Sequence, residues 1–146
     1  MNINKLRAQL EIDEGIVHKI YLDHLGYPTF GIGHLVVEGD PEESMEVGEG
    51  ISEGRCVEVF EKDVQSVLDD CVICFEGWEN YPEEAQQVFA NMMFNMGRTR
   101  LSKFKMMIAA AEAGAWKQAA TEGRDSRWHK QVTNRAERLM SRLENI

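Results

Sequence analysis

The sequence predicts an α+β fold, and three observations carry that expectation. Apolar residues recur at helical spacing along most of the chain. One short stretch, Ile16 to Tyr21, loosens toward period two, is rich in β-branched residues and runs into a turn. A single run after Ile51 is long enough to hold an apolar stripe over many turns. Together they describe a helix, a small antiparallel sheet, a long connecting helix and a helical lobe.

Ile3, Leu6 and Leu10 form the first helical repeat, with Asn2 or Asn4 available as its cap and Gly15 as its natural stop. After the Ile16–Tyr21 strand, His24-Leu25-Gly26 turns the chain, and residues 27–32 read as the hairpin partner. Pro28 points to an edge or irregular strand there. Residues 38–50 gather Glu38, Asp40, Glu42, Glu43, Glu46 and Glu49 around a proline and glycines, which predicts a loop and the least ordered part of the molecule. Ser52 suits the cap of the long helix, whose stripe is Cys56, Phe60, Val64, Val67, Leu68 and Cys71. Pro82 stands where a first helical residue belongs. Ala85, Val88, Phe89, Met92, Met93 and Met96 follow until Gly97 stops them, and this methionine stripe reads as adaptable core. Further helices are expected over about 101–113, 115–122 and 133–143, the last with Thr133 as a candidate cap. The expected division is a sheet lobe over about 13–52, a connecting helix over about 53–75, and a helical lobe over about 76–146 that takes in the N-terminal helix 3–13.

At 146 residues, 43% hydrophobic and 28% charged, the chain has the composition of one globular domain over 1–146, long enough to bury a core. No apolar run approaches the length of a membrane span, so no stable membrane insertion is expected. The N-terminal residues lack the apolar stretch of a signal peptide, so the chain is expected to stay in the cytoplasm where it is made. Three cysteines, an odd number, fit a reducing compartment. Cys71-Val-Ile-Cys74 could suggest half a metal site, but Cys56 has no second ligand near it. Buried thiols on a helix face are the better reading, and no metal or cofactor is expected. The net charge of −9 is unevenly spread. Residues 1–97 carry five Lys and Arg against twenty Asp and Glu, whereas residues 98–146 carry eleven against five. Arg127, Arg135, Arg138 and Arg142 lie in the basic part, but without an aromatic platform or a continuous basic stripe no nucleic-acid partner is expected.

The chemistry concentrates in one segment. Ile12-Asp-Glu-Gly15 ends the first helix with Glu14 in its last turn, an unfavourable place for a carboxylate against the helix dipole. Asp23 follows in the turn, and Thr29 lies in Tyr27-Pro-Thr-Phe-Gly-Ile-Gly-His34. By default Asp23 is a turn residue, Thr29 a strand residue and Glu14 a solvated helix end. A pair of carboxyl groups is also what glycoside hydrolysis requires, one to protonate the leaving oxygen and one to activate water or steady the cation. Gly31 and Gly33 would let another surface approach the backbone, as in a cleft wall.

These motifs resemble the phage T4-type lysozymes (glycoside hydrolase family 24), and the resemblance runs through nearly the whole chain. Beyond the first segment it includes Phe60-Glu-Lys-Asp63, Asn91-Met-Met-Phe-Asn-Met-Gly97, Trp116-Lys-Gln-Ala-Ala120, Ser126-Arg-Trp128 and Gln131-Val-Thr-Asn-Arg-Ala136. It implies a lysozyme-like two-lobed fold, with a small antiparallel sheet lobe and a larger helical lobe joined by a long helix. It also implies that Glu14 is the acid, Asp23 the second carboxylate and Thr29 the water-holding hydroxyl. Leu35 and Phe94 would contact substrate, Arg135 would hold Glu14, and His34 would pair with Asp63 in a structural role. Two departures stand out: the stretch after His34 is shorter and far more acidic than the family's, and the chain as a whole is acidic rather than basic.

The implied activity is that of an endolysin, a muramidase cleaving the β-1,4 bond between N-acetylmuramic acid and N-acetylglucosamine by inversion, during phage lysis of a host cell. The implied partner is the peptidoglycan glycan strand. The enzyme would be a monomer, held in the host cytoplasm until a holin opens the membrane, and would then act in the periplasm and cell wall. A lytic transglycosylase, which needs one acid and no second carboxylate, and a non-catalytic wall-binding module are the alternatives. The presence of Asp23 and Thr29 beside Glu14 weighs against both.

Overall fold

A computed structural model describes residues 1–146. The chain is α+β, with seven α-helices and one three-stranded antiparallel sheet in the order β1-β2-β3. It divides into two compact units, one of Arg7–Gln65 and one of Met1–Leu6 with Ser66–Ile146.

Helix α1 spans Ile3–Glu14. Asn2 caps it, its Oδ1 accepting the Lys5 N–H at 3.0 Å. Gly15 ends it at φ +75°, a left-handed conformation that costs glycine little. Strands β1 (Val17–Leu22), β2 (Pro28–Gly31) and β3 (His34–Leu35) follow. The third strand was not anticipated. β2, expected at an edge because of Pro28, is the middle strand. Pro28 is tolerated because it is the first residue of the strand: its carbonyl accepts the Val36 N–H at 3.0 Å, and the preceding Tyr27 carbonyl takes the Asp23 N–H at 2.9 Å.

The acidic segment also differs from the loop expected of it. Pro41–Ser44 forms a 3₁₀ turn in which Glu42 is buried. Arg55 grips that carboxylate through its Nε and Nη2 at 2.8–3.2 Å. The far end of the segment runs along β1, with the Ile20 N–H donating to the Glu49 carbonyl, Gly48 to Ile20 and Ile51 to His18, all at 2.8–2.9 Å. Beneath it Ile20, Phe30, Ile51, Cys56 and Val59 form one apolar cluster, with Val36 and Met45 against it. An acidic segment is therefore ordered because one carboxylate is neutralised by arginine and its backbone groups find strand partners.

Helix α2 spans Glu53–Cys74, and Ser52 Oγ accepts the Arg55 N–H at 3.1 Å. Its stripe is buried at Cys56, Phe60, Val64, Val67 and Cys71, while Leu68 is half-buried. All three cysteines are free. Burial pushes the Cys71 thiol far above its ordinary range, so it packs as a small apolar group.

The Ser66–Ile146 portion is helical. α3 spans Glu83–Leu101, one residue after Pro82, whose carbonyl takes the Gln86 N–H at 3.1 Å. Gly97 kinks this helix at φ 79°, ψ 165° rather than ending it, so residues up to Leu101 belong to α3 and not to the next helix. α4 (Lys105–Glu112), α5 (Trp116–Arg124), an unanticipated short α6 (Arg127–Gln131) and α7 (Thr133–Glu144) complete the unit. Thr133 does not cap α7, because its hydroxyl donates to the Lys130 carbonyl at 3.3 Å. Phe75 and Phe89 stack at 4.5 Å in a core shared with Met92, Met93, Met107, Leu139 and Met140. No helix is long and apolar enough to cross a membrane.

Candidate active site

Glu14 is the last residue of α1, and its carboxyl group lies against the turn between β2 and β3. A Cβ built on Gly33 would stand 3.0 Å from Glu14 Oε2 and 3.3 Å from its carboxyl carbon. Gly33 also holds φ +61°, so this backbone approach to the carboxyl group uses both properties of glycine, the missing side chain and the left-handed conformation. Gly31 has a similar φ of +64° but faces Cys56, not the acid.

Asp23 closes the β1–β2 hairpin. Its Oδ1 accepts the N–H groups of Leu25 and Tyr27, both at 2.9 Å, which fixes the carboxyl group and leaves Oδ2 without a hydrogen bond from the protein. Thr29 is buried in β2, and its hydroxyl donates to the Tyr27 carbonyl at 3.0 Å. With that proton committed, the Thr29 oxygen can only accept from anything in front of it.

The sheet register arranges the rest. Thr29 is paired with Tyr21 on one side and Leu35 on the other, so the three side chains form a row on one face. Phe30 and His34 pair on the opposite face, their rings 5.0 Å apart. Leu35 is 44% exposed, as a residue offered to a ligand would be. Tyr21 is half-buried, and burial first, then the charges of Glu14 and Asp23, raise its phenol above the ordinary value. Both carboxyl groups therefore act on one tyrosine.

Behind this face His34 is held at both ring nitrogens, Nδ1 by Asp63 at 2.6 Å and Nε2 by Asp40 at 2.9 Å. A neutral imidazole has one N–H, so donating to both carboxylates at once takes the imidazolium. Burial opposes that charge, but the hydrogen bonds and charges of Asp63 and Asp40 outweigh it and raise His34 above the ordinary histidine range. Asp40 Oδ2 also accepts the Val37 N–H at 3.1 Å.

The structure thus brings Glu14, Asp23, Thr29, His34, Leu35 and Asp63 into the Arg7–Gln65 unit, with Phe94 and Arg135 in the other. Phe94 lies half-buried on α3, and Arg135 Nε on α7 donates to Asn91 Oδ1 at 2.9 Å. No cluster of His, Cys, Asp or Glu is arranged to hold a metal ion. Two residues had no role assigned to them from the sequence. Asp40 was one acid among many in its segment, and only the fold selects it for His34. Tyr21 was legible in principle, standing at the end of β1 two residues before Asp23.

An α+β chain that sets two carboxyl groups and a hydroxyl around the end of a small sheet is of the lysozyme-like class. It belongs to the phage lysozyme family, whose pattern matches residues 11–145. The pre-baseplate central spike protein Gp5 of Enterobacteria phage T4 is 30% identical over 152 residues, covering 92% of this chain. The chain spans about a quarter of that relative, 26% of its length. The probable T4-type lysozymes 2 and 1 of Dictyostelium discoideum are 30% and 27% identical, each covered over 95% of its length by 97% of this chain. This membership supports a lysozyme-type glycosidase function.

Proposed function

We propose that the chain is a peptidoglycan muramidase that hydrolyses the β-1,4 linkage between N-acetylmuramic acid and N-acetylglucosamine with inversion, and that it serves as a phage endolysin. Glu14 gives its proton to the glycosidic oxygen as the bond from that oxygen to the anomeric carbon breaks. A water on the opposite face of the sugar attacks the carbon and passes its proton to Asp23, while Thr29 accepts the water's other hydrogen. On the family resemblance, Leu35 and, separately, Phe94 contact the saccharide and Arg135 supports the acid. The expected setting is a monomer in the host cytoplasm that reaches the periplasm and wall once a holin has opened the membrane.

The observation that carries this reading is the division of labour between the carboxyl groups. Asp23 is pinned through one oxygen by two backbone N–H groups, its other oxygen free of protein hydrogen bonds, and Thr29 is locked as an acceptor two residues beyond the hairpin turn. A base and a water-holding oxygen are what an inverting hydrolysis needs, and a transglycosylase would use neither. The test is clearing of outer-membrane-permeabilised Gram-negative cells, followed by NMR of fresh product. The α-anomer should form first. An initial β-anomer would establish a retaining route, a 1,6-anhydro product a transglycosylase, and failure to clear cells a non-catalytic wall-binding protein.

A further inference from the structure

Asp23 and Thr29 leave the attacking water incompletely held. Asp23 offers an oxygen, and the Thr29 hydroxyl has already given its proton to the Tyr27 carbonyl, so both can only accept. Two acceptors take the two hydrogens of a water and leave neither of its lone pairs engaged by a donor. One lone pair must point at the anomeric carbon, so a donor that engages the other would fix the direction of attack. We propose that the phenol of Tyr21 is that donor, a third holder of the water with Asp23 and Thr29. The proposal rests on the glycosidase reading above and adds a residue to it.

Placement supports it from several sides. Tyr21 is the direct cross-strand partner of Thr29, so the two side chains rise from the same face of the sheet. It stands two residues before Asp23, at the end of β1 that leads into the turn holding that carboxylate. The side chain is half-buried, and its hydroxyl has no hydrogen-bond partner within the protein, which leaves its proton available to a ligand. Burial and the charges of Glu14 and Asp23 raise the phenol above its ordinary value, so it keeps the proton that it would give to the water. The balance of the step is unchanged: the water oxygen bonds to carbon, one water proton goes to Asp23, and Tyr21 keeps its own.

Two measurements test this. The first reads position without activity. With tyrosine labelled at its ring Cζ carbon, the Tyr21 phenol should titrate above the ordinary value of 10.0, and Glu14→Gln and Asp23→Asn should each bring it down. A phenol indifferent to both substitutions would remove Tyr21 from the site. The second is kinetic. Tyr21→Phe should keep the melting temperature and KM of the wild type and lose roughly tenfold in kcat, the scale of one hydrogen bond made in the transition state. In an Asp23→Asn background the same substitution should cost little more, because both act through one water. Unchanged kcat, or a loss of equal size in both backgrounds, would overturn the role of Tyr21 while leaving the glycosidase reading intact. A wild-type protein without hydrolytic activity would overturn both.

Discussion

An alanine at position 33 would have to adopt φ +61° and bring its Cβ to 3.0 Å from Glu14 Oε2. The left-handed conformation alone costs an L-residue roughly 1–2 kcal/mol. The contact falls on the end of a flexible side chain, so the carboxyl group would move aside rather than the backbone. Gly33→Ala should therefore lower the melting temperature by a few degrees and lower lytic activity by tenfold or more, since misplacing a reacting group by about 1 Å can cost on the order of 10²-fold. Gly31→Ala supplies the comparison. It meets similar backbone strain but faces Cys56, so it should lose stability with much less effect on turnover. Equal activity losses in the two variants would show that strain, and not the position of the acid, governs both. Glu14→Gln tests the acid directly. General acid catalysis contributes about 10²–10⁴ in rate, so the folded variant should clear cells at a hundredth of the wild-type rate or less. More than a tenth of the activity remaining would reassign the proton donor.

His34 joins three elements: β3, which carries it; α2, which carries Asp63; and the acidic segment, which carries Asp40. Its folded pKa is raised above 6.5, so its contribution to stability is fully present below that unfolded value and is lost as pH rises through the folded one. Asp40 shifts the other way. Burial opposes its charge, but the Val37 N–H, His34 and Arg55 hold its carboxyl below 3.8, so its contribution is present above that value and is lost as pH falls through the depressed one. Coupling between His34 and Asp40 should thus be largest in mildly acidic solution and fade toward alkaline pH. A His34→Asn/Asp40→Asn double-mutant cycle should show clearly more coupling at pH 5.5 than at pH 9, and hydrogen exchange in residues 37–50 should speed up over the same rise. Equal coupling at both values would leave His34 as an uncharged packing residue. The same elements show what was legible in the sequence. Helices α1 and α2 could be read from caps and apolar spacing, because those signals are local. The ordering of the acidic segment could not, since it depends on Arg55 reaching Glu42 and on backbone pairing with β1, contacts between residues far apart in the chain. Gly97 misled for a related reason: a glycine at a left-handed φ ends many helices, but here the chain resumes its helical turn on the far side. Glu14, Asp23 and Thr29 stood out through the resemblance to the phage lysozymes, whereas the hydrogen bonds that fix Asp23 and Thr29 came only with the fold.

At the scale of the whole chain the charge itself sets an expectation. Peptidoglycan, the proposed substrate, is anionic through its peptide carboxylates, and a protein of net −9 should be repelled from it at long range. The basic residues are gathered in 98–146, where eleven Lys and Arg face five Asp and Glu, so close contacts made there need not share the repulsion. The two effects respond differently to salt. Screening sets in over about 8 Å at physiological ionic strength, so added salt weakens the repulsion between distant net charges before it weakens hydrogen-bonded contacts at short range. Lytic rate should therefore rise or hold level from low salt to about 0.15 M, and fall only beyond it. An enzyme drawn to its substrate by net positive charge would instead slow steadily from the lowest salt upward. A monotonic decline in this protein would mean that the basic stretch, not the net charge, governs the encounter with the wall. Replacing Arg127 and Lys130 with glutamine should then reduce both the rate at low salt and its dependence on salt.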